Sequence, residues 1–138
     1  VTKLGGHFVG CCFDGESVFK KLKDREEINC NDSSGNRIWC LRKGYKQKEK
    51  FPEGKHSLGM KITVFQESIN AFIDEYLVNF EYFTELMEMV GFFLVKDEFF
   101  QTIYDEKEFG MSDVEKEISF LNRAFVFQKK TLVSKTIK

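Results

Sequence analysis

Apolar and polar positions along the chain divide it into short alternating and helical stretches. His7 to Phe13 (His-Phe-Val-Gly-Cys-Cys-Phe) is a brief apolar, β-prone run behind Gly5-Gly6. It predicts a strand buried on both faces, as in a parallel sheet. Asp14 then suits a helix N-cap, and Val18, Phe19 and Leu22 recur at helical spacing. Residues 24–36 are polar, include Asn-Asp-Ser-Ser-Gly-Asn, and predict a loop. Residues 37–45 alternate imperfectly and 59–65 alternate well, which predicts an antiparallel hairpin inserted beside the main sheet. Phe80, Phe83, Leu86, Met87 and Val90 line one face of a helix that Gly91 is placed to end. Residues 92–100 predict a further strand. Ser112-Asp-Val-Glu115 has the capping-box pattern that opens a helix carrying Val114, Ile118 and Leu121. Residues 124–128 form the last predicted strand, and 129–138 a frayed basic tail. Strands and helices in this order make an α/β pattern over one domain, residues 1–138.

Composition narrows the classes. The 138 residues are 42% hydrophobic and 16 of them are Phe, enough for a substantial core. A net charge of −1 gives no long-range attraction for polyanions, so any such site must come from local clustering. Arg42, Lys43, Lys46, Lys48, Lys50 and Lys55 are one such cluster, either a phosphate-contacting surface or a solvated loop. The four cysteines, at 11, 12, 30 and 40, match no zinc spacing and suggest reduced thiols in an intracellular protein. No apolar run approaches membrane-spanning length, so no membrane partner is expected.

The segment Ile73-Asp74-Glu75-Tyr76-Leu77-Val78-Asn79-Phe80 holds two carboxylates and a tyrosine in an apolar run. Charged side chains so enclosed usually have a partner. A carboxylate here suits a ligand edge with two adjacent N–H donors, as in guanine. Alternatively, Asp74 and Glu75 sit at the positive end of the helix that follows. His7 and His56 are far apart and no nucleophile or general base stands out.

Five blocks in register resemble the mRNA cap guanine-N7 methyltransferases. They are Gly5 to Gly15, Gly35-Asn36-Arg37-Ile38-Trp39, Asp74-Glu75-Tyr76-Leu77-Val78, Leu94-Val95 with Phe99-Phe100, and Phe125-Val126-Phe127-Gln128-Lys129. Asp14-Gly15 and Ser119-Phe120-Leu121-Asn122-Arg123 are closest to the capping enzymes of large cytoplasmic DNA viruses, which implies a cytoplasmic viral setting. The resemblance implies the C-terminal half of a class I, Rossmann-like methyltransferase fold that uses S-adenosylmethionine. The family's glycine-rich cofactor loop precedes the blocks seen here, so the cofactor would be held mainly by an N-terminal half. Capped RNA, or a GTP-like cap, is the implied substrate, with other capping-enzyme domains as further partners. By resemblance Glu75 faces the cap guanine, and Phe13 and Asn122 stand beside it; Tyr76 next in sequence suits a stacking or hydrogen-bonding contact, with plain core packing the alternative for both Tyr76 and Phe13. Phe13 stands where the family has proline, and Asn122 where it often has a cap-contacting tyrosine. No residue is implied as catalytic in the covalent sense. A non-catalytic, methyltransferase-like stimulatory subunit and a general RNA-binding domain are the alternatives.

Overall fold

The computed structural model describes residues 2–132 and contains two antiparallel sheets flanked by short helices. The first sheet has β1 (His7–Phe13), β7 (Asn122–Lys129) and β6 (Phe92–Phe99) in the order β1-β7-β6. Both outer strands run antiparallel to β7, so β1 and β6 are parallel to each other. The second sheet is a meander of β2 (Glu27–Asn31), β3 (Arg37–Lys43), β4 (Lys61–Gln66) and β5 (Ala71–Tyr76), in sequence order. The helices are α1 (Gly15–Lys21), α2 (Phe80–Met89), α3 (Phe100–Ile103), α4 (Glu106–Phe109) and α5 (Asp113–Ser119).

Several expectations hold at residue level. Asp14 caps α1, its Oδ2 accepting from the Ser17 amide at 3.0 Å. Ser112 and Glu115 form the reciprocal capping box of α5. Gly91, with φ +86°, ends α2 in the left-handed conformation that glycine adopts without strain. The β3–β4 hairpin forms as expected, pairing Leu41 with Val64.

Three expectations do not hold. β1 is not a strand of a parallel sheet buried on both faces; it pairs antiparallel with β7, and Phe8, Val9 and Cys11 are exposed. A short apolar run does not by itself distinguish these settings. Residues 24–36 are not all loop, because β2 lies within them. Ile28 and Leu41, cross-strand partners, are both buried, while the alternate positions Glu27 and Asn29 are exposed. Asp74 and Glu75 are not at a helix start. They belong to β5, and α2 is capped instead by Asn79, whose Oδ1 accepts from the Tyr82 amide at 3.1 Å. The inserted hairpin is therefore the middle of a four-stranded sheet. Of the expected frayed tail, Lys129 closes β7, Lys130 donates its amide to the Gly91 carbonyl at 2.9 Å, and residues 133–138 lie outside the described residues.

The main core lies between the inner face of the meander and the helices. Trp39, Leu41, Ile62 and Val64 from the meander meet Phe13, Val18, Phe19, Leu22, Leu77, Ile118 and Leu121. Trp39 Nε1 donates to the Val114 carbonyl at 2.7 Å, so the indole is buried without losing its polar partner. A second cluster, Phe80, Phe125 and Phe127 with Phe83 and Met87 against it, seats α2 on the three-stranded sheet. The phenylalanines at helical spacing are thus packing residues. No helix among the described residues is long and apolar enough to cross a membrane.

Candidate functional site

The two sheets meet where β1 ends. Asp14 and Val78 form an isolated parallel bridge, and the Gly15 amide donates to the Val78 carbonyl at 2.9 Å. The approach is close enough to require glycine: a Cβ on Gly15 would stand 2.4 Å from the Val78 carbonyl oxygen. At this junction Phe13 and Asn122 are partners across the β1–β7 pair. Glu75 lies three positions before Val78, about 10 Å back along the strand.

Arg123 ties the junction together. Its Nη1 donates to Asp14 Oδ1 at 3.1 Å and its Nη2 to Asp97 Oδ2 at 2.7 Å. The guanidinium lies 3.9 Å from the Phe80 ring centroid and 4.7 Å from that of Phe99. Nε is buried without a hydrogen-bond partner among the described residues. Planar stacking on two aromatic faces plus two carboxylates is an arrangement that arginine supports and lysine does not. A cleft of about 300 Å³ opens beside it, lined by Asp14, Lys50, Pro52, Asn79, Glu81 and Arg123 among others.

The sequence-derived residues fall into different places. Cross-strand partners share a face of a sheet. Glu75 opposes the buried Ile62, and Ile73 opposes the buried Val64, so both belong to the inner face of β5. Glu75 is exposed as a residue, because β5 is an edge strand and the core stops short of it. Yet lost hydration from neighbouring protein atoms pushes its carboxyl pKa above the usual value. It accepts no hydrogen bond and no ion pair from the described residues.

Tyr76 corrects the expectation of a shared wall. It opposes Lys61, stands on the outer face of β5, and is 63% exposed. Adjacent strand residues point to opposite faces, so Glu75 and Tyr76 do not line one surface. Phe13 takes the core alternative: it is 9% exposed and packs in the main core. Asn122 Nδ2 donates to the Ile118 and Ser119 carbonyls at 3.3 and 3.2 Å, closing the C-terminal end of α5. Its amide nitrogen is therefore committed to the fold, and what remains faces a groove of about 410 Å³ shared with Trp39 and Gln66. Among the basic residues, Arg42 pairs with Glu27 and Lys50 with Glu53, and Lys43 Nζ donates to the Lys23 carbonyl at 3.0 Å. Lys46, Lys48 and Lys55 are exposed.

Arg123 was not legible as a site organiser from the sequence, since its two carboxylates are distant in the chain. The separation of Glu75 from Tyr76 follows only once β5 is known to be a strand, because apolar and acidic residues fall on both of its faces.

The family model for the mRNA (guanine-N(7))-methyltransferase domain matches residues 1–123. The chain belongs to this family. Cap guanine-N7 methyltransferases of this kind are enzymes that transfer a methyl group from S-adenosylmethionine and act on capped RNA. No curated protein matches the chain.

The cofactor that this methyltransferase family uses does not fit the described residues. A glycine-rich nucleotide loop needs a strand, an open glycine turn and a helix N-terminus. Gly5-Gly6 precedes β1 instead of following a strand, and a Cβ on Gly6 would stand 2.8 Å from a Thr2 side-chain carbon. Gly10 lies under the Phe125 ring, and Gly15 is closed by the Val78 carbonyl. No group of three His, Cys, Asp or Glu among the described residues is arranged to hold a metal.

Proposed function

We propose that this methyltransferase segment forms one wall of the cap-guanine pocket, with Glu75 as its guanine-reading residue. The carrying observation is the inner-face position of Glu75. Its carboxylate has both oxygens free of partners among the described residues, on the side of β5 that faces the core, three positions before the Val78 that bridges to Asp14. A carboxylate in that state accepts from guanine N1–H and N2–H together, and paired contacts of this kind discriminate bases by about 1–3 kcal/mol. Adenine offers no such pair and leaves the carboxylate desolvated. Methylation at N7 leaves the ring cationic, so a fixed anion nearby favours the transition state over the neutral ground state. The N7 lone pair is already nucleophilic, so the transfer needs no general base. Rate then rests on holding the guanine in position.

The strand order β1-β7-β6, with antiparallel β7 between two mutually parallel strands, supports a class I, Rossmann-like assignment. In that assignment the segment is the C-terminal part of the domain, and S-adenosylmethionine is held by other residues. The chain of residues 1–138 by itself is then inactive and does not bind the cofactor. The likeness of Asp14-Gly15 and Ser119–Arg123 to viral capping enzymes supports a cytoplasmic viral setting, with other capping domains as partners.

The deciding experiment is Glu75→Ala in the full-length enzyme, assayed on capped RNA with cofactor affinity measured in parallel. Methylation falls by two orders of magnitude or more on this reading, while S-adenosylmethionine binding is unchanged. Turnover equal to the parent's removes Glu75 from the site. Tight S-adenosylmethionine binding by residues 1–138, measured by calorimetry, overturns the division of roles.

A further inference from the structure

The outer face of the meander has chemistry that the guanine wall does not use. Phe65 and Phe72 are cross-strand partners whose ring centroids lie 5.1 Å apart. The Arg37 guanidinium stands 5.7 Å from the first ring and 5.5 Å from the second, and the Arg42 guanidinium 4.2 Å from the Phe72 ring. Farther along the same face come Asp74 and then Tyr76. Phe72 is 41% exposed, and Arg37 is exposed.

The charges on this face sort themselves. Glu27 is engaged by Arg42, and Asp74 by Lys61 and by the Thr63 hydroxyl at 3.0 and 2.7 Å. Both carboxylates are thereby held in the ionised form and neutralised. Arg37 forms no ion pair with a described residue. The face therefore presents flat aromatic and guanidinium surfaces with, among the described residues, one cation outside any ion pair. Unpaired bases stack on both kinds of surface, and their phosphates need a cation. A protein interface shares the aromatic and arginine content, but its centre is depleted of Lys, Glu and Asp, whereas Glu27, Lys61 and Asp74 stand on this face. Here ion pairs flank the rings on both sides.

We propose that this outer face is a stacking platform for the unpaired nucleotides that follow the cap in the RNA substrate. The proposal rests on the guanine-wall reading, because it places the cap and the body of the RNA on the two faces of β5. β5 is the edge strand of its sheet. A chain leaving the inner face at Glu75 has only one strand to cross before it meets Tyr76 and Phe72. The alternation along β5 thus divides recognition: Glu75 reads the guanine, and Phe72 with Tyr76 grips the RNA irrespective of sequence.

The test uses the full-length enzyme and two substrates, a capped dinucleotide and a short unstructured capped RNA. Phe72→Leu keeps apolar bulk and loses the stacking face; Arg37→Gln removes a charge from an exposed side chain. Each raises KM for the capped RNA about tenfold, leaving KM for the dinucleotide and kcat unchanged. Arg37→Gln also lowers the salt dependence of RNA binding by about one unit of slope, and Phe72→Tyr behaves as the parent. Unchanged KM for the RNA in both variants overturns the platform, as does an equal loss on both substrates. A protein-docking face would give the former result. Arg37→Gln alone decides the matter if Phe72→Leu weakens the sheet. Failure of the guanine wall shows separately, as Glu75→Gln that still turns over the dinucleotide normally.

Discussion

Arg123 reaches Asp14 across 3.1 Å, joining the second residue of β7 to the N-cap of α1, 109 positions earlier in the chain. Asp14 is buried, with its second oxygen held by Ser17. Removing the guanidinium leaves a carboxylate out of water with only part of its compensation. Arg123→Leu is expected to cost about 3 kcal/mol of stability. Asp97→Asn, at a more exposed carboxylate, is expected to cost about 1 kcal/mol or less. Urea unfolding of the two variants checks both values. Equal losses would mean that the Asp14 contact carries no special weight.

Glu75 sets function against stability. Its carboxyl pKa is raised in the folded state by lost hydration. For a group so shifted, the favourable contribution is complete below the unfolded pKa and is lost as pH rises through the folded one. At neutral pH the ionised side chain therefore destabilises the fold slightly. Glu75→Gln is expected to melt higher than the parent at pH 7, and the difference should vanish as pH falls through the carboxyl range. The same variant should lose most methylation of capped RNA, since an amide cannot accept both guanine protons.

The pH profile of the parent enzyme follows the same group. On the guanine-wall reading, binding needs the carboxylate form of Glu75. KM for the capped dinucleotide should rise as pH drops below the elevated Glu75 pKa. That limb should be absent from Glu75→Gln, which is already impaired throughout. An acid limb that survives in the variant would assign it to another group.

Gly15 offers a backbone test of the junction. A methyl group there meets the Val78 carbonyl at 2.4 Å and the Phe51 ring at 2.8 Å. The carbonyl is backbone and cannot swing aside. Gly15→Ala is expected to destabilise by about 3 kcal/mol, read by thermal or chemical unfolding. Ser112→Ala, which removes the capping box of α5, should cost about 1 kcal/mol. It should leave cap recognition unaltered.

What could be read from the residues was local. The Asp14 and Ser112 caps, the Gly91 helix end and the existence of the β3–β4 hairpin each depend on neighbours within a few positions or on alternation. β2 is hidden in the sequence because its buried positions, Ile28 and partly Cys30, are each followed by an asparagine, Asn29 and Asn31, with the chemistry of a loop. β5 is hidden because Ile73 and Glu75 share a face, so burial and charge do not alternate along it. The Phe13 and Asn122 assignments came by analogy. Their surroundings, a packed core and the carbonyl end of α5, are long-range facts that no short window contains. Arg123 was invisible for the same reason.

The turn from Gln66 to Ala71 carries more than a change of direction. It holds Asn70 in a left-handed conformation, at φ 52°, and delivers β5 to β4 with Glu75 beside Ile62. Adding or deleting one residue there would slide the strand by a single step and exchange its two surfaces. The acidic side chain would then point outward and the tyrosine inward, with every amino acid of β5 retained. Loop length in this region thus determines which side chains each surface of the sheet presents, independent of the composition of the strand itself.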